Sequence, residues 1–356
     1  MRSIRAAAVA VVMGIGALAV APPASAQSDP RSEAEWAALT QVPHGASLPL
    51  ASHADHTFVN PYLAAFGAIG LAEATRVTSD PRYAEAAWRQ AEWHASVMDA
   101  AGYVTDYHVV PGGLASTGSA DSTDAYAAMF VLNVEAAYRA APNGLRLGAL
   151  APKLRLAVAA MRSTQRTDGL TGAKPDWNVA YLMNDAEVFA GLNAAARLGS
   201  VLRDRQLVAV ASDAARRLQK GFDRLWNPST GAYDWAVHGD GARQPTNWGQ
   251  LYPDAMSQVW AVRYGLVRGP RAVALLRTFL ATHPNAHDPN ASDLIDGSVR
   301  PTGYWPGLGL ALVWADRAAP ARFLAGTRAA AAGTGLAWPY SVQTAGDVLA
   351  LIALGA

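Results

Sequence analysis

The sequence of 356 residues predicts an all-α protein, an (α/α)6 toroid of six helical hairpins in two concentric rings, on three observations. Large apolar residues recur at three- and four-residue spacing through alanine-rich segments, as in helices that bury one stripe. A short pattern in which an aromatic or acidic stretch runs into an apolar helix returns six times, the mark of a repeated supersecondary unit. Tight turns alternate with long loops, so in a stack of antiparallel helices all the turns fall at one end and all the long loops at the other.

Taken in order, the chain opens with Arg2 and Arg5, the apolar run Ala6 to Ala21 and the small residues Ala24-Ser25-Ala26, which together read as a signal peptide over residues 1–26. The expected product is secreted, starts near Gln27 and forms one domain over 27–356, because no Gly/Ser- or Pro-rich linker divides it. A helix over 31–40 is expected to pair with the last helix and close the ring. The repeated pattern begins at Asn60-Pro61-Tyr62 and feeds a helix over 61–77, followed across Thr78-Ser79-Asp80-Pro81 by its partner over 82–99. Asp121-Ser122-Thr123-Asp124-Ala125-Tyr126 feeds 124–140, with a partner over 150–165. Tyr181-Leu182-Met183-Asn184-Asp185-Ala186-Glu187 feeds 183–199, and the charged partner over 203–225 belongs to a solvent face. Leu251-Tyr252-Pro253-Asp254-Ala255 feeds 254–267, paired with 270–281. Trp305-Pro306-Gly307 feeds 306–317, paired with 319–332, and Asp347 marks the last helix, 345–354. The helices after the long loops are the more apolar on all sides and form the inner ring.

Composition removes several functions. There is no cysteine, hence no disulfide, thiolate metal site or cysteine nucleophile. With 29 basic and 28 acidic residues the net charge is +1, which gives no electrostatic case for a nucleic-acid partner or a membrane surface. After the signal no run is long and apolar enough to span a bilayer. Neither a His-x-x-x-His pair, a Gly-x-Ser-x-Gly elbow nor a Gly-rich phosphate loop occurs, and no cofactor is expected. Asp288 to Asp296 offers oxygen ligands in the manner of a calcium loop, but Asp293 stands where glycine is needed and Val299 where the closing glutamate is needed.

The unusual residues gather in the long loops. Tyr107, Trp177, Trp235, Trp248, Gln250, Tyr252 and Trp305 supply flat aromatic faces and an amide beside carboxylates, the side chains a carbohydrate cleft needs. The competing account is that these aromatics pin loops to the rim through their N–H and O–H groups. Six hairpins whose loops end in Asp-Ala-Tyr, Asp-Ala-Glu and Tyr-Pro-Asp-Ala resemble the six-hairpin glycosidase superfamily over nearly all of the mature chain. That resemblance implies a carbohydrate substrate and a cleft at the N-termini of the inner helices.

Asp124, Asp185, Asp254 and Asp347 all occur where a helix N-cap is wanted, and capping alone explains an aspartate there. Glu187 falls in a first helical turn, where it offsets the dipole. Asp121 precedes Asp124 by three residues and is harder to explain as a cap. The expected chemistry is glycoside hydrolysis, with Asp121 or Asp124 as one catalytic carboxylate and Asp185 or Asp254 as the other. Acids on neighbouring helices about 8–10 Å apart suit the roughly 6.5–9.5 Å of an inverting pair. A polysaccharide lyase, drawing on Lys174, Arg243 or Arg300 to neutralise a uronic carboxylate, is the alternative enzyme. A non-catalytic saccharide-binding or cell-envelope protein is the alternative outside enzymes.

Overall fold

Local chemistry sets the helix ends in the computed structural model, which describes residues 30–42, 49–52, 55–289, 291, 305–334 and 341–355. The signal peptide, Asp293, Asp296 and Val299 of the calcium-like loop, and Arg300 lie outside the described residues. Asn60 caps α2 (Pro61–Thr78) by accepting the Leu63 N–H at 2.8 Å, and Ser79 in the left-handed region ends the helix. Asp80 caps α3 (Pro81–Val97), Asn143 caps α5 (Gly144–Ser163), and Asp204 caps α7 (Arg205–Asp223). The Asn143 cap, accepting the Arg146 N–H at 3.0 Å, starts α5 well before the expected residue 150. The other helices are α1 (Pro30–Leu39), α4 (Asp124–Ala140), α6 (Leu182–Leu202), α8 (Met256–Arg263), α9 (Gly269–Thr282), α10 (Leu308–Leu312), α11 (Ala319–Thr334) and α12 (Val342–Leu354).

The even-numbered helices form the inner ring. Each packs on the next from α2 to α12, and α12 returns onto α2 to close the circle. The odd-numbered helices lie outside, and α1 packs on both α12 and α2, as the sequence leads one to expect. Closure is tight: a methyl group added at Gly70 would come within 2.4 Å of the Gly346 Cα, so the backbones of α2 and α12 touch. No helix among the described residues is long and apolar enough to cross a membrane.

The long loops carry short antiparallel ladders. β1 (Phe58–Val59), β2 (Tyr107–Val110) and β3 (Gly113–Ser116) form one sheet in that order, with Tyr107 opposite Ser116. β4 (Ala180–Tyr181), β7 (Ala236–Val237) and β8 (Arg243–Gln244) form a second, and β5 (Trp226–Asn227) pairs with β6 (Ala232–Tyr233). These ladders bind successive loops to one another over the inner-helix N-termini.

The four aspartates read as caps are not caps. Asp124 is the first residue of α4 after Thr123, Asp185 is the fourth of α6, and Asp254 lies in a π-turn (Leu251–Ala255) leading into α8. At α12 the cap is Ser341, and Asp347 is already inside the helix. Partners from other elements draw each carboxylate inward.

Candidate active site

At the mouth of the inner ring, α6 carries Glu187, a buried acid with 1% of its surface exposed. The Tyr62 hydroxyl donates to its Oε1 at 2.6 Å and the Trp260 indole N–H donates to the same oxygen at 2.8 Å. Oε2 receives no hydrogen bond from the described residues. Burial pushes the Glu187 carboxyl up to about 8; the two donors and Arg263 oppose that rise, and the Asp124 charge adds to it. Burial thus favours the neutral form of Glu187, and with both donors on Oε1 the other oxygen is left to carry a proton.

Arg263 forms the floor. Its guanidinium lies 4.6 Å above the Trp260 ring and 5.4 Å from Phe66, and pairs with buried Asp347 at 2.6 Å. Gln343 donates to the other Asp347 oxygen. Trp305 stands edge-on to Trp260 at 5.2 Å and to Phe66 at 5.7 Å, so it belongs to the inner wall of the site. The residues that surround Glu187 thus come from α2, α6, α8, α12 and the loop before α10.

Across the mouth stands a second acidic group. Tyr126 stacks on Tyr62 at 5.7 Å, accepts from Asn60 Nδ2 at 2.8 Å and donates to Asp106 Oδ1 at 2.9 Å. Burial raises Asp106 to about 6, with the Tyr126 bond opposing and the neighbouring Asp121 charge assisting. Asp121 itself is exposed. Tyr252 lies between the two acidic regions: burial, then the charges of Asp121, Tyr181 and Glu187, push its phenol up to about 12. The residue as a whole is 45% exposed, so this burial reflects the surrounding cleft walls and not complete removal from water.

The remaining expected residues divide. Trp177 is 48% exposed and donates from Nε1 to the Tyr181 hydroxyl at 3.1 Å, while Tyr181 stacks on Trp235 at 6.1 Å with rings 11° apart. These three make an aromatic platform on the rim, and Lys174 ties their loop to the Ala120 carbonyl, next to Asp121. Gln250 donates to the Tyr252 carbonyl at 3.2 Å and supports that loop. Tyr107 instead packs edge-on against Trp93 in a small outer cluster, and Trp248 donates to the Thr230 carbonyl. Both pin loops.

Asp124, Asp185 and Asp254 are buried beneath the mouth and hold loops. Asp124 accepts from Thr171, Asn184 and the Ala125 N–H, Asp185 accepts from Thr171, and Asp254 accepts the Asn247 N–H at 2.7 Å. Burial raises all three, Asp124 to about 7. Of the expected cations, Arg243 pairs with Asp234 at 3.3 Å. No group of three or more acidic or histidine side chains among the described residues is arranged to hold a metal ion. Sequence reasoning assigns Glu187 only dipole compensation and Tyr62 only a place in a repeated helix entry, and it gives Asp106 no role.

No protein-family model and no curated protein sequence matches the chain. Solved structures are similar over most of it. A metal-independent alpha mannosidase of Streptococcus pneumoniae, in a non-productive complex with alpha-1,6-mannobiose, superposes with a TM-score of 0.71 at 11% identity, covering 92% of each chain. A mannosylglycerate hydrolase of Thermus thermophilus in complex with glucose gives 0.65 at 14% identity, covering 90% of this chain and 98% of its own. An alpha-mannanase of Bacteroides thetaiotaomicron gives 0.56 at 13%, covering 92% and 95%. Identities this low carry the fold alone. By that fold, the chain is an (α/α)6 toroid of six helical hairpins.

Proposed function

We propose that the protein is a glycoside hydrolase acting on an oligo- or polysaccharide, with Glu187 as general acid and Asp121 as the base that activates water. The observation that carries this reading is the contrast between the acids: Glu187 is buried, kept neutral and anchored through one oxygen, while Asp121 is exposed and acts with Glu187 on the same Tyr252 phenol. A buried acid that favours its proton and a second carboxyl group open to water are what glycosidic cleavage requires. Glu187 protonates the departing glycosidic oxygen from Oε2. Asp121 takes a proton from water, which attacks the anomeric carbon from the opposite face, and the configuration inverts. The fold shared with glycosidases solved with mannobiose or glucose supports a sugar substrate. Trp177, Tyr181 and Trp235 supply a stacking surface for a neighbouring sugar ring. Export through the segment 1–26 agrees with a polymeric substrate outside the cell.

The test is a screen of oligo- and polysaccharides for released reducing ends, with NMR of the first-formed anomer. Glu187→Gln and Asp121→Asn are expected to keep the fold and saccharide binding and to lower turnover by about 10²-fold or more. Unsaturated products would replace this reading with a lyase. Tight saccharide binding by the wild type without cleavage of any bound polymer would replace it with a binding protein.

A further inference from the structure

Thr171 Oγ1 stands 2.8 Å from Asp124 Oδ2 and 3.0 Å from Asp185 Oδ1. A threonine hydroxyl has one proton to donate. One proton cannot fully satisfy two carboxyl oxygens at these distances, and a proton held by one of the carboxyl groups completes the arrangement.

The surroundings decide which acid holds it. Asp124 Oδ1 accepts the Ala125 N–H at 2.7 Å and Asn184 Nδ2 at 3.0 Å, and the residue lies in the first turn of α4, where free N–H groups and the helix dipole favour an anion. Asp185 Oδ1 accepts the Thr171 N–H at 2.8 Å, but Asp185 Oδ2 is buried with no hydrogen-bond partner. An unpartnered buried oxygen is tolerable as the carbonyl of a neutral acid and costly as half of a carboxylate.

We infer that Asp185 keeps its proton and donates it to Thr171 Oγ1, which donates its own to the Asp124 carboxylate, giving a proton-sharing relay with one negative charge beneath the site. Burial and the Asp124 charge act on Asp185 in the same direction. The other charged groups nearby are Asp168, on the same loop and paired with Arg166 at 2.8 Å, and Glu187, two residues further along α6. The relay joins α4, α6 and the loop that carries Lys174 and Trp177. Its charge on Asp124 also favours the protonated form of Glu187. Asp124, Thr171 and Asp185 are thus positioning residues; this last effect on the chemistry rests on Glu187 being the acid.

Two measurements test the relay. In denaturant unfolding across pH, Asp185→Asn should gain on the wild type by about tenfold in the folding constant per pH unit as pH rises above the ordinary aspartate range. The sign follows from a folded acid held above its unfolded value, whose stabilisation is complete at low pH and lost as pH rises. If Asp185→Asn does not fold, Thr171→Val should steepen the loss of stability near neutral pH, and Thr171→Ser should not. Stability differences that stay constant with pH overturn the relay. On the alkaline limb of turnover, Thr171→Val should move the limb to lower pH, because Asp124 loses a donor, takes up a proton and ceases to raise Glu187, while Thr171→Ser restores it. An unmoved limb overturns the coupling to Glu187. If the wild type cleaves no saccharide, the hydrolase reading fails and the stability series still decides the relay.

Discussion

Glu187 shows how a residue's chemistry is set by atoms far away in sequence. Its helix position gives only dipole compensation, whereas Tyr62, 125 residues earlier, and Trp260, 73 residues later, converge on one oxygen. Those bonds favour the ionised form, so their removal raises the acid further. Tyr62→Phe is expected to move the alkaline limb of turnover above that of the wild type, near pH 8 in the wild type from the value of Glu187, and a full pH–rate profile checks it. An unchanged limb would mean that Tyr62 only fills space. Asp121 stands apart in the sequence because capping does not explain it, and it is exposed. Asp124, Asp185 and Asp254 were not separable from it by residue type, since the difference is one of burial: each is at most 4% exposed.

Helices in this fold are specified locally, but their contacts are not. Alternating short turns and long loops predict which helices are inner, and the ring observed follows that order. The contact of α2 with α12 depends on two glycines from opposite ends of the chain. A methyl group at Gly346 would lie 2.1 Å from the Phe66 carbonyl oxygen, which is backbone and cannot move aside cheaply. Gly346→Ala should therefore lower stability by about 1–3 kcal/mol from overpacking, outweighing the gain of up to about 1 kcal/mol in helix propensity; chemical denaturation measures the balance. The loop before α6 permits a second test. Trp177→Ala should weaken binding of longer oligosaccharides to the Glu187→Gln protein by about tenfold, near 1.4 kcal/mol, with a smaller loss for shorter ones. Titration calorimetry over a chain-length series would show a length-independent loss if Trp177 only pins its loop.

Across the whole molecule, the buried acids make stability depend on pH in an unusual direction. Burial raises Glu187 to about 8 and raises Asp185 as well. Each contributes stability that is present below the unfolded carboxyl range and is lost as pH rises toward its folded value. His94, buried and lowered to about 3, acts in the opposite sense, losing stability as pH falls below the ordinary histidine range. Two acids against one histidine predict a higher melting temperature at about pH 5 than at about pH 7.5. A flat or rising profile over that interval would show that these carboxyls ionise freely in the folded state.

Sequence alone specifies the helices, their alternation between rings, and the end at which the long aromatic loops gather. These follow from periodicity, turn chemistry and loop length, all of which act within a few dozen residues. Which acid is buried among donors, which is exposed and which hold loops emerges with the tertiary fold. A carboxyl group's proton affinity depends on its burial and on donors brought from other helices, and neither exists until the ring has closed.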